Sequence, residues 1–308
     1  NKLMKFFILF FLTLASSLYV ATANASCDKN DAGQIITVSG NSTTPVSDGG
    51  TAGDQCSDIP DEYHIGFFKL GLCTEDPSTL NYDSCKFMYN NATALNHVIT
   101  FPESKPLDLP AFTIAPNKDG YGYMLAVLNG KLGLKNTITT SNTTTGKSSS
   151  TGTTCWTTTG ITGVSNEVIV TPHGTTLAGS VQTIECGTEA EPVVTYEVIN
   201  VLKDTANDGC NTMGAQGDKD ANQTVENGLA TAALLQANDA SYATACTNAS
   251  KILWSIALTK PLVVTPTSTF NLRFKLTDAV SVDFSDNSDT KINKMGADPI
   301  QALLTVIN

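Results

Sequence analysis

Residues 120–138 read GYGYMLAVLNGKLGLKNTI, and the fold class turns on how that run is taken. Tyr121 to Leu128 is an unbroken stretch of apolar, strand-forming residues. Asn129-Gly130 follows, and Leu132, Leu134 and Ile138 then alternate with Lys131, Lys135 and Thr137. Asn-Gly between two such runs is the strongest short-range hairpin signal, because a type I′ turn needs φ > 0 at both central positions. The stretch therefore predicts a hairpin. Its first strand is apolar on both faces and hence central, and its second is half polar.

Working outward, the flanks add more sheet. Residues 62–73 carry apolar side chains on both parities, the pattern of an interior strand. Residues 85–89, 97–101, 167–171, 181–186, 193–202 and 251–259 are short strand candidates bounded by Gly, Pro and Asn. Residues 105–116 hold three prolines and read as an edge or connector. Phe270, Leu272, Phe274 and Leu276 alternate with Asn271, Arg273, Lys275 and Thr277, and Val280, Val282 and Phe284 keep the parity. Such alternation marks an antiparallel strand with one wet face. Residues 302–307 read as a last strand. Half of residues 137–162 are threonine, a composition read as a long solvated loop or edge hairpin rather than core. Residues 204–250 differ in character. Ala and Leu recur at helical spacing over 225–237, and 242–248 could add a second turn. The expectation is a mainly β protein: an antiparallel β-sandwich or jelly-roll-like body with long Thr-rich loops and one small helical insertion around 204–250.

The other end of the chain predicts export. Residues 1–3 stand ahead of Met4 as an artefact, Lys5 is a charged start, 6–20 are apolar, and Ala23-Asn24-Ala25 fits a cleavage site. Residues 1–25 therefore read as a signal peptide. Residues 26–57 form a polar N-terminal arm with one strand-like piece at 34–39, and 58–308 form the β-rich domain. No later run is apolar enough to span a bilayer. The net charge is −11, and the leader carries Lys2 and Lys5 away with it. An acidic chain repels phosphate backbones and anionic lipid, which disfavours nucleic-acid and membrane-surface partners.

Eight cysteines remain after the leader, an even number in an exported chain, and so a disulfide framework. Sequential pairing is expected: Cys27–Cys56, Cys73–Cys85, Cys155–Cys186 and Cys210–Cys246. No C-x-x-C occurs, and His64, His97 and His173 are not spaced as ligand pairs.

Few residues point to chemistry. Asp218, Asp220 and Asn222 open like a calcium loop, but Gln223 stands where the sharp turn wants Gly and Leu229 where a bidentate Glu should close the shell. Asp283, Asp286 and Asp289 form a second acidic group that reads equally as a polar turn. There is no G-x-S-x-G elbow, H-E-x-x-H helix or phosphate loop. Trp254 alternates with Ile252 and Ile256 and reads as core. Trp156, inside the Thr-rich tract, is the candidate for stacking on a sugar. Asn41, Asn91, Asn142, Asn222 and Asn248 begin N-x-[ST] sequons.

The expected function is non-enzymatic: a secreted structural or adhesive protein of the cell surface, possessing no cofactor unless calcium binds. It would self-associate into a pilus-like extracellular filament, or join other surface proteins, through a sheet edge completed by a neighbour's strand. Residues 34–39 or 302–307 would be the donor. A monomeric glycan-binding module and a secreted hydrolase are the alternatives.

Overall fold

The computed structural model describes residues 26–37, 55–100, 114–146, 150–158, 167–169, 184–199, 219–225, 227–285, 288–298 and 300–307. Expectations that fall elsewhere, among them the leader, Cys210, Asp218, Asp286, His173 and Asn41, lie outside the described residues.

The chain is mainly β. Among the described residues the strands are β1 (Gln55–Asp58), β2 (Glu62–Cys73), β3 (Cys85–Thr100), β4 (Asn117–Asn129), β5 (Lys131–Lys135), β6 (Thr137–Thr145), β7 (Thr151–Thr157), β8 (Glu167–Ile169), β9 (Ile184–Gly187), β10 (Thr195–Val198), β11 (Lys219–Val225), β12 (Gly228–Leu235), β13 (Lys251–Val264), β14 (Thr269–Lys275), β15 (Val280–Ser285), β16 (Ser288–Ala297) and β17 (Gln301–Ile307). The only helical pieces described are 3-10 turns at Pro77–Thr79 and Cys246–Asn248. A nine-stranded sheet runs β11-β12-β13-β4-β2-β5-β10-β8 with β3 on β2. A six-stranded sheet runs β1-β15-β16-β6-β7-β9, and β14-β17 form a two-stranded ribbon. One apolar core is shared by all three: Tyr63, Phe67 and Met124 from the first, Ile138, Val282 and Phe284 from the second, Leu272 and Leu304 from the ribbon. This is a β-sandwich-like body.

The expected central hairpin is not a hairpin. β4 and β5 both pair with one edge of β2, Leu128 opposite Phe67 and Gly133 opposite His64, so the chain runs almost straight through Asn129-Gly130. Neither residue has positive φ. Glycine is needed at 130 for a different reason. A Cβ there would come within 2.8 Å of the Ser250 carbonyl oxygen. The Gly130 N–H donates to Ser250 O at 2.9 Å and its carbonyl accepts from Ile199 N–H at 2.7 Å. The sheet forks at this residue: β13 pairs along β4 on one side of it, and β10 along β5 on the other.

The helical insertion is also corrected. Residues 228–235 form β12, held between β11 and β13 with Gly228 opposite Leu258 and Leu235 opposite Lys251. Ala230 and Leu234 face the shared core, while Ala233 and Leu235 face the opposite side. A strand covered on both faces takes small and apolar residues throughout, which mimics helical composition, and pairing on both edges overrides Ala propensity.

The described part of the Thr-rich tract, 137–146 and 150–158, is not a solvated loop. It forms β6 and β7, interior strands of the six-stranded sheet, with Thr140, Thr144 and Thr157 buried. Their hydroxyls stay satisfied: Thr140 and Thr144 share a hydrogen bond of 2.8 Å, and Thr157 Oγ1 donates to Val193 O at 2.7 Å. Thr is β-branched and fits a pleated sheet well.

Three sequence-expected disulfides are present, Cys27–Cys56, Cys73–Cys85 and Cys155–Cys186. The fourth involves Cys210 and lies outside the described residues. No described helix is long and apolar enough to cross a membrane.

Candidate functional site

The N-terminal arm is seated in the body. Ile35 is 1 % exposed and forms a parallel bridge to Thr140 of β6. Its N–H donates to Thr139 O at 2.8 Å, and its carbonyl accepts from Ser141 N–H at 2.9 Å. The Thr37 N–H donates to Ser141 Oγ at 2.9 Å, and the Asn142 amide donates to Thr37 O. Residues 35–37 thus lie along β6 through one isolated bridge at Ile35 and a few hydrogen bonds, tethered upstream by Cys27–Cys56. The other expected donor, β17, pairs with β14 over seven register positions and buries Ala302 and Leu304. In the described residues β3 pairs only with β2, which leaves a long edge carrying Val98, 43 % exposed.

A second notable place lies between the sheets. Glu197 of β10 and Lys294 of β16 are buried, and Lys294 Nζ donates to Glu197 Oε1 at 2.9 Å. Glu197 Oε2 accepts the Ala297 N–H. Asp298 follows directly. Its carboxyl turns in to Ser281 and to Ser57 Oγ, 3.4 Å away, while its carbonyl accepts from Tyr63 Oη at 3.0 Å. Burial, then the Glu197 charge, pushes Asp298 up to about 7. Burial opposes the charge on Lys294, but the Glu197 carboxylate beside it holds it above the usual lysine range. Burial pushes the Tyr63 phenol well above its ordinary value. Sequence reasoning missed this group. The available signal was in β10, where Thr195 and Glu197 point inward while Tyr196 and Val198 are only half-buried, the reverse of the usual alternation.

A third place is the outer face of the nine-stranded sheet. Phe68, Tyr82, Phe87, Tyr123 and Tyr242 are partly buried around Cys73–Cys85, Leu125 and Leu253. Asp239, at positive φ, takes Lys69 at 3.1 Å and Lys251 at 3.3 Å. Lys251 Nζ also sits 4.1 Å from the centre of the Phe68 ring.

The remaining sequence candidates scatter. Asp220 and Asn222 lie on strand β11, Asp220 opposite Ala232 and Asn222 at a register shift, so they do not wrap as a loop. No group of three or more metal-ligating side chains occurs among the described residues. Trp156 is 6 % exposed, flush against Gly187 and beside Cys155–Cys186, and has no face open to a sugar. Trp254 packs against the main core, as expected. His64 Nε2 meets Glu62 at 3.0 Å, and Glu62 also holds Lys135 at 2.8 Å. His97 lies against Phe274, and burial lowers its pKa. Asn91 is exposed where β3 bulges away from β2, whereas the Asn142 amide is engaged with Thr37.

No protein-family model, no curated protein and no solved structure matches the chain.

Proposed function

We propose that this chain is an exported structural protein of the cell surface, the subunit of an extracellular filament joined by strand addition. The observation that carries the reading is the seat beside β6. Residues 35–37 occupy it through three backbone N–H donors, the Asn142 amide and two buried side chains, Ile35 and Thr37. A contact that small exchanges more readily than the full ladder of β17 on β14. A neighbour's residues 34–37 would fill the same seat with the same bonds, so an exchange of identical strands needs no new interface. Cys27–Cys56 keeps each donor attached to its own body. The disulfides suit an extracellular setting.

The test is a cysteine trap. Thr37 Oγ1 and Ser141 Oγ lie 3.5 Å apart. The double variant Thr37→Cys, Ser141→Cys should give a ladder of covalent multimers on a non-reducing gel, together with filaments by electron microscopy. A single monomer band at high protein concentration would overturn the reading.

A second reading, glycan binding, draws on the partly buried aromatic face of Phe68, Tyr82, Phe87 and Tyr123 rather than on Trp156. It expects sugar binding that Tyr123→Ala weakens and Trp156→Phe leaves alone.

A further inference from the structure

We propose that Lys294 and Glu197 condense into an intramolecular amide, a covalent cross-link that ties the six-stranded sheet to the nine-stranded one, with Asp298 carrying the proton. The inference goes beyond the assembly reading and does not depend on it.

The geometry supplies each part of the reaction. The amine and the carboxyl are in contact at 2.9 Å, on strands 97 residues apart in sequence. Fixing two reactants in such contact is worth effective concentrations of about 10⁵–10⁸ M. Glu197 Oε2 already receives a backbone N–H from Ala297, the donor an oxyanion needs when charge builds on that oxygen. Gly296 keeps the space clear, since a Cβ there would lie 2.6 Å from Lys294 Nζ and 2.9 Å from Glu197 Oε2. Both side chains are buried, which keeps out the water that would reverse the step. A buried ion pair alone gives no net stabilisation over apolar residues of the same size, so stability does not account for its placement.

The step balances without a co-reactant. Proton transfer within the pair gives a neutral amine and a neutral acid. Lys294 Nζ attacks Glu197 Cδ, and the new C–N bond forms as negative charge collects on Oε2. Asp298, the next residue after the Ala297 whose N–H holds Oε2, accepts a proton from nitrogen and returns it to Oε1. The Cδ–Oε1 bond breaks, one water leaves, and Oε2 remains as the amide carbonyl on the Ala297 N–H.

Mass spectrometry of the purified, reduced and denatured protein decides the matter. The expected mass is one water below that of the sequence. A protease digest should then yield a branched peptide joining the segment with Glu197 to the segment with Lys294. A full sequence mass, with the two segments recovered as separate peptides, overturns the proposal. Lys294→Arg keeps the positive charge and should restore the full mass. Asp298→Asn keeps the local shape and should leave most molecules uncondensed; a wild-type extent of condensation would remove Asp298 from the proton-carrying role. None of these outcomes depends on whether the protein forms filaments.

Discussion

Burial and then the Glu197 charge push the Asp298 carboxyl up to about 7, against 3.8 for an exposed aspartate, because both favour its neutral form. The unfolded chain releases that proton far more easily, so the neutral group favours the fold. Its contribution is complete below the unfolded value and is lost as pH rises through the folded one. Urea midpoints should therefore fall between about pH 4 and pH 7 through this group, then level off. Asp298→Asn should flatten that slope, measured as the difference between variant and wild type across the range. Burial is the larger cause and persists whether or not the neighbouring pair has condensed. Glu62 works in the opposite direction: the Lys135 hydrogen bond holds its pKa down, so its contribution fades only in acid. Gly133 makes a purely steric prediction. A Cβ there would meet His64 Cβ at 2.7 Å and Tyr196 Cε1 at 3.0 Å, so Gly133→Ala should cost about 1–3 kcal/mol in denaturant unfolding. At this scale the sequence was readable where pairs were local, as with the three sequential disulfides. It was silent on Glu197 and Lys294, which are distant in sequence and take meaning only from each other.

At the scale of elements, alternation was legible and turning was not. Phe274 and Phe284 kept one parity and both entered the core. Parity could not separate a hairpin from a straight strand at Asn129-Gly130, because β4 is apolar on both faces and satisfies either arrangement. The deciding contacts, from Ser250 and Ile199, come from far along the chain. Gly130→Ala should loosen both branches of the fork together, at a cost of about 1–3 kcal/mol. Hydrogen exchange should quicken at position 130 and at Ile199 alike, and protection retained at Ile199 would show that the branches are independent. The β12 strand was misread for a related reason: full burial erases periodicity and leaves only propensity, which favours helix for Ala and Leu. Leu234 is fully buried in that strand, and Leu234→Ala should cost about 2–5 kcal/mol with no loss of circular-dichroism strand signal from the rest of the body.

Across the whole molecule, the sulfur bridges divide the labour. Cys73–Cys85 joins neighbouring strands β2 and β3, and Cys155–Cys186 joins β7 and β9. Of the described bridges, Cys27–Cys56 is the one that ties the arm to the body, and it spans 29 residues. Replacing Cys27 and Cys56 with Ser should lower stability by about 3.6 kcal/mol, by the loop-closure estimate. It should also free residues 35–37 to leave their seat, which protease sensitivity of the arm would register. An arm equally resistant without the bridge would mean that Ile35 and its backbone bonds hold it unaided. The fold class was legible from the chain because β-branched and alternating residues dominate it, whereas the layering of sheets was set by contacts no local pattern encodes.

Gly130 carries one more consequence. Met124, Ala126, Leu128, Leu132 and Leu134 all turn into the same core, so the even-numbered side chains stay in phase across the fork. Adding or deleting a single residue there would invert that phase and present Leu132 and Leu134 to the wrong layer. Chain length at this point can therefore drift only in steps of two.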